Sequence, residues 1–110
     1  MKVIDLRNIK SSRLLLLKID YCIASARYEK EPVLKFLSRS KFAGEHLRRS
    51  LRAWKKENKV YFIINGENFH ENDERTQFLL DRFPEEANDA DLGAGNELST
   101  IACMFSSRSY

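Results

Sequence analysis

Two short polar segments carry the residue types best suited to holding an anion. The first runs Asp5-Leu6-Arg7-Asn8-Ile9-Lys10 and the second Ser38-Arg39-Ser40-Lys41. Arg forks and Ser hydroxyls donate to phosphate oxygens, and a helix starting at the second segment would add unpaired backbone N–H groups and the positive end of its dipole. Arg7, Lys10, Arg39, Ser40 and Lys41 are therefore the candidate phosphate-binding residues, joined by Arg48 and Arg49 a little further on. The glycines of a P-loop are absent. For proton transfer the candidates are Asp5 and His46, which would have to meet as an acid/base pair. Arg7 cannot take that role, because a guanidinium stays protonated. The other histidine, His70, lies near Glu67, Glu71 and Asp73, but this spacing suits a solvated loop better than a metal site, so no metal ligand is assigned. The cysteines, Cys22 and Cys103, sit in apolar surroundings without a close partner, as buried reduced thiols do. No Ser-His-Asp or Cys-His arrangement is evident.

The elements that must position these residues follow from periodicity. Lys2 to Leu6 reads as a buried opening strand. Ser11 or Ser12 offers an N-cap for a helix to about Tyr28, whose inner face combines Leu15, Ile19, Cys22, Ile23 and Ala26, widened by Leu14, Leu17, Tyr21 and Ala24. Pro32 ends the turn after it. Val33 to Leu37 is a second strand, and strand–helix–strand order implies a right-handed crossover with the two strands parallel. Their carboxyl ends then lie side by side, where open α/β sheets bind ligands, and the two polar segments meet there. A second helix, about Gly44 to Asn58, turns Leu47, Leu51 and Trp54 inward and Arg48, Arg49, Arg52, Lys55 and Lys56 outward. Val60 to Ile64 is a third strand. Residues 65–98 form a surface excursion with a short helix near Glu74 to Phe83, and Ser99 to Phe105 is the last strand. Trp54 and Tyr21 are expected in the core rather than as base-stacking platforms.

The chain has 110 residues, 43% hydrophobic and 32% charged, with only two prolines and four glycines. Those proportions suit a single domain over residues 1–105, with 106–110 as a flexible tail. No apolar run approaches a membrane span and no signal-peptide pattern opens the chain, so the expected location is cytoplasmic, without a membrane partner. The net charge of +3 conceals a division: residues 1–60 hold 16 Lys or Arg against 6 Asp or Glu, whereas residues 61–110 hold 3 against 10. A basic half of this kind favours a polyanionic partner, RNA or DNA.

In its order of elements, in the Asp5-Leu6 pair that ends the first strand, and in a Leu closing the second strand before a charged loop and an Arg-rich helix, the chain resembles the Smr (small MutS-related) domain. The tract Asp89-Ala90-Asp91-Leu92-Gly93-Ala94-Gly95-Asn96, followed by Thr100-Ile101, is similar to the ending of short single-domain Smr-like proteins. The resemblance implies an α/β, two-layer βαβαββ sandwich. Its mixed four-stranded sheet carries two main helices, similar to the carboxyl-terminal domain of translation initiation factor three, with a short extra helix before the last strand. It also implies nucleic-acid binding, and in several members endonuclease activity. The departures fall on the signature. The family's Asp-Leu-His-Gly is Asp5-Leu6-Arg7-Asn8 here, and its His-Gly and Gly-rich loop is Ser38-Arg39-Ser40-Lys41, so both motif histidines are missing. Leu98 stands where the family tends to place Gly.

Three readings follow. The first is a nucleic-acid-binding Smr-like domain with degenerate nuclease motifs, which needs no cofactor to bind. The second is an active endonuclease in which Asp5 ligates a divalent metal or polarises water. The third is a protein-interaction module driven by the charge asymmetry.

Overall fold

The computed structural model describes residues 1–104; the end of the expected last strand and the tail at 106–110 lie outside them. Strand β1 is Lys2–Asp5, helix α1 Ser12–Glu29, strand β2 Val33–Leu37, helix α2 Lys41–Lys56, strand β3 Phe62–Asn65, helix α3 Glu74–Arg82 and strand β4 Ser99–Cys103. Short 3-10 turns at Gly66–Asn68 and Pro84–Asn88 flank α3. The sheet runs β1-β2-β4-β3. Its β1/β2 pair is parallel and both pairs involving β4 are antiparallel.

Local chemistry explains the helix limits. Ser11 caps α1 by accepting from the Leu14 N–H at 3.3 Å, and Ser40 caps α2 by accepting from the Ala43 N–H at 3.2 Å. Each helix then stops on a left-handed residue. Lys30 has φ 58° and Asn58 φ 61°, and the following amides, of Glu31 and Lys59, return to Ala26 O and Trp54 O.

Alternation along the strands loads both faces of the sheet. Leu34, Phe36, Ile63 and Ala102 join Ile4 and Leu6 beneath α1 and α2, which contribute Leu15, Ile19, Ile23, Leu47 and Leu51. Val33, Phe62, Ile64, Ile101 and Cys103 face the other way and are covered by Phe69, Leu79 and Phe83. The segment expected as a surface excursion is therefore a third, smaller layer over a strand face as apolar as the first. Met1, just ahead of β1, joins it, its amino group 2.8 Å from Glu86 Oε2.

Lys35 lies in the buried run of β2 on this second face. Its ammonium meets Asp89 Oδ1 at 2.8 Å and also the Asp91 carboxylate, tying the acidic loop to the sheet. Burial disfavours the charged ammonium, but hydrogen bonds to Asp89 and Asp91 outweigh it and raise its pKa above the ordinary value. Gly66 makes a tighter junction: a Cβ there would lie 1.9 Å from Asn96 O and 2.1 Å from Ser99 Oγ, so only glycine fits at this crossing.

Two expectations about the helices are corrected. Leu14, Leu17, Tyr21 and Ala24 do not widen the inner face of α1; they are exposed on its far side, because the buried row 15–19–23–26 already fills the contact with the sheet. Arg48 is not outward either. It is 6% exposed, since helical period places it beside Gly44, Leu47 and Leu51 on the buried face of α2. Trp54 is half-buried between the helices, its Nε1 donating to Asp20 Oδ1 at 3.0 Å. Among the described residues no helix is long and apolar enough to cross a membrane.

Candidate nucleic-acid interface

The parallel β1/β2 pair brings the loops after both strands to one end of the sheet. There Ile9, Lys10, Ser11 and Ser12 face Arg39, Ser40, Phe42, Ala43 and His46 across a hollow of about 80 Å³. Two helices begin at this hollow. Each cap takes up one amide and the helix ladder begins with Leu15 and Gly44, so the first two amides of each helix, at Ser12 and Arg13 and at Lys41 and Phe42, precede both. The positive ends of two helix dipoles thus converge beside two exposed cations, Lys10 and Arg39. The cap hydroxyls use their oxygens as acceptors and retain their protons for donation.

Of the residues singled out from sequence, Lys10, Arg39, Ser40 and His46 meet here. Lys41 is exposed next to the hollow, its Nζ 3.3 Å from Glu97 Oε2, and Arg49 is exposed one turn further along α2. Arg7 is turned onto Asp5, with Nε to Oδ1 at 2.9 Å and Nη2 to Oδ2 at 2.7 Å, while its backbone N–H donates to Oδ1 at 3.0 Å. The Arg7 guanidinium, helped by that backbone N–H, holds the Asp5 carboxyl down at about 2. Asp5 lines a different groove, with Lys18, Tyr21 and Cys22, and its carboxylate is paired with Arg7, whereas His46 packs on Phe42.

Arg48 has a structural post. Its Nε donates to Thr100 Oγ1 at 3.0 Å, and its Nη2 donates to Glu97 O, to Ser99 O and to Glu67 Oε1. Burial works against the Glu67 carboxylate, but the Arg48 hydrogen bond prevails and keeps its pKa below the usual value. On that flank Glu45, Glu67 and Glu97 surround a second hollow with Arg48 and Lys41, an acidic border to the basic site.

Sequence reasoning missed three contributors. Ser11 and Ser12 were legible as a cap but not as part of the anion site, which requires knowing that both helices start together. Phe42 is 71% exposed at the rim, its ring meeting His46 edge-on at 4.6 Å. An aromatic in the first turn of a basic helix was the available signal. Ser38, in the segment corresponding to the second motif, points inward: it is 3% exposed, its amide donating to Leu98 O at 2.8 Å. Among the described residues, no three His, Cys, Asp or Glu side chains converge as a metal site would require.

No family model matches the sequence, and no curated protein matches it. A solved structure does: the Smr domain of Thermus thermophilus MutS2 is similar with a TM-score of 0.61 and 19% identity, over 96% of this chain and 99% of that one. The protein has an Smr-like fold.

Proposed function

From this Smr-like fold and its basic helix face, we propose that the protein binds RNA or DNA through phosphate contacts at the paired helix starts, and that its nuclease chemistry is degenerate. The observation that carries this reading is the convergence of Lys10, Arg39 and the amino ends of α1 and α2 on one hollow. Arg49 and Arg52 extend the cationic surface along α2, and Phe42 offers a ring on which an unpaired base could stack. Arg7 would join after releasing Asp5.

The degenerate part rests on chemistry. No imidazole stands at either motif position, and Asp5 is held as a carboxylate by a bidentate guanidinium, so it has no proton to give near neutral pH and must lose Arg7 to ligate a metal.

The test is binding and cleavage of end-labelled single-stranded, duplex and hairpin RNA and DNA at low and physiological salt, with and without magnesium or manganese. We expect binding that weakens steeply with salt and yields no fragments. Lys10→Ala with Arg39→Ala should reduce the salt slope by about 2. Unchanged affinity in that variant would overturn the site. Metal-dependent fragments abolished by Asp5→Asn would restore the nuclease.

A further inference from the structure

Helix α1 is apolar on two opposite sides. One side, Leu15, Ile19, Ile23 and Ala26, is buried against the sheet. On the other, Leu14, Leu17, Tyr21, Ala24 and Tyr28 follow one another at alternating three- and four-residue steps, the spacing that keeps a single stripe along a helix. All five are exposed, Leu14 by 59%, Leu17 by 57%, Tyr21 by 67% and Tyr28 by 90%. Five of the eight large hydrophobic side chains exposed among the described residues lie on this one helix, counting Leu16. A sixth, Val3, sits on edge strand β1 and shares a groove of about 270 Å³ with Tyr21. Scattered surface leucines need no explanation, but a continuous row about 21 Å long does.

The charges beside the stripe select what covers it. Arg13 and Lys18 flank it and have no ion pair among the described residues; the Lys18 ammonium lies 5.7 Å from the Tyr21 ring centre. The carboxylates of the helix are engaged, Asp20 by Trp54 and Glu29 by Lys2 at 3.8 Å and Ser25 at 3.1 Å. A second copy in parallel register would bring like cations together, an antiparallel one would have to draw Glu29 from Lys2 and Ser25 to meet Arg13, and a phosphate backbone would leave the leucines uncovered. We infer that the outer face of α1 docks an acidic amphipathic helix of a protein partner, its apolar seam on Leu14, Leu17 and Tyr21 and its carboxylates towards Arg13 and Lys18.

The probe is a fluorescein-labelled synthetic helix with a Leu/Ile seam flanked by Glu, compared with the same peptide carrying Lys at the Glu positions, each titrated with the full chain. We expect the acidic peptide to bind at least tenfold more tightly than the basic one, to weaken with salt, and to lose at least tenfold in affinity with Leu17→Glu or Tyr21→Ser while circular dichroism stays unchanged. Arg39→Ala should leave peptide binding intact, which separates this surface from the nucleic-acid site. Failure of the acidic peptide to bind at low salt, or equal binding of both peptides, would overturn the inference. So would a concentration-dependent dimer broken by Leu17→Glu, or nucleic-acid affinity lost with Tyr21→Ser. The first of those outcomes would assign the stripe to a second copy and the other to nucleic acid.

Discussion

The guanidinium of Arg48 meets a hydroxyl, two backbone carbonyls and a carboxylate at once, and its removal leaves Ser99 O and Thr100 Oγ1 short of a donor within the protein. Arg48→Met should therefore destabilise the fold by about 2–4 kcal/mol in urea denaturation, a range kept modest because Glu67 retains access to water. Arg49→Ala should change stability by less than about 0.5 kcal/mol and lower nucleic-acid affinity instead. Their different positions were legible in principle: the run 44–47–48–51 is one helical face, but residue type pulled Arg48 outward in the sequence reading. No comparable signal revealed that its partners would come from Glu67 and the approach to β4, since both are remote in sequence. At the hollow, Phe42→Ala should weaken single-stranded binding roughly tenfold while affecting duplex much less, as titration of matched oligonucleotides will show.

At the scale of elements, the third layer hangs on two junctions. Gly66→Ala forces a methyl into the Asn96 and Ser99 backbone and should cost about 3 kcal/mol or more, visible as a lowered urea midpoint. The second junction is pH-dependent. The Lys35 hydrogen bond, aided by Asn96, keeps the Asp91 pKa below its ordinary value of 3.8 despite partial burial. Its contribution to stability is thus complete above that ordinary value and disappears as pH falls through the depressed one. Lys35 is the mirror case: its contribution holds below 10.5 and is lost as pH rises through its elevated folded value. Denaturation midpoints should therefore fall in acid, and Asp91→Asn should flatten that fall. The strand and helix order was legible because β2, α2 and α3 have clear periods bounded by caps or Pro. The far side of α1 was not, since a helix apolar on two opposite sides does not say which of them meets the sheet. Lys35 within Val33–Leu37 was a legible demand for buried anions, whose source in the Asp89–Asp91 loop only the tertiary structure supplies.

Across the whole molecule the sheet divides the charge. Helix α2 alone carries six Lys or Arg against one Glu, while residues 66–98, largely in the opposite layer, carry two Arg against ten Asp or Glu. Under the proposed function, a polyanion would approach the face of α1 and α2 and be repelled from the other. The sheet order has a further consequence, for synthesis. Strand β4 lies between β2 and β3 and is buried along its entire length, yet it is the last of these four strands to be synthesised. Until residues 99–103 emerge, β3 has no strand to pair with, so the nascent chain can prepare β1, α1 and β2 but cannot close its sheet. A chain ended at residue 98 should show helical circular dichroism without a cooperative urea transition, and a peptide carrying the last strand, added in trans, should restore one. The loops and helix starts of the proposed anion site, all within residues 9–46, thus emerge well before the strand that closes the sheet beneath them.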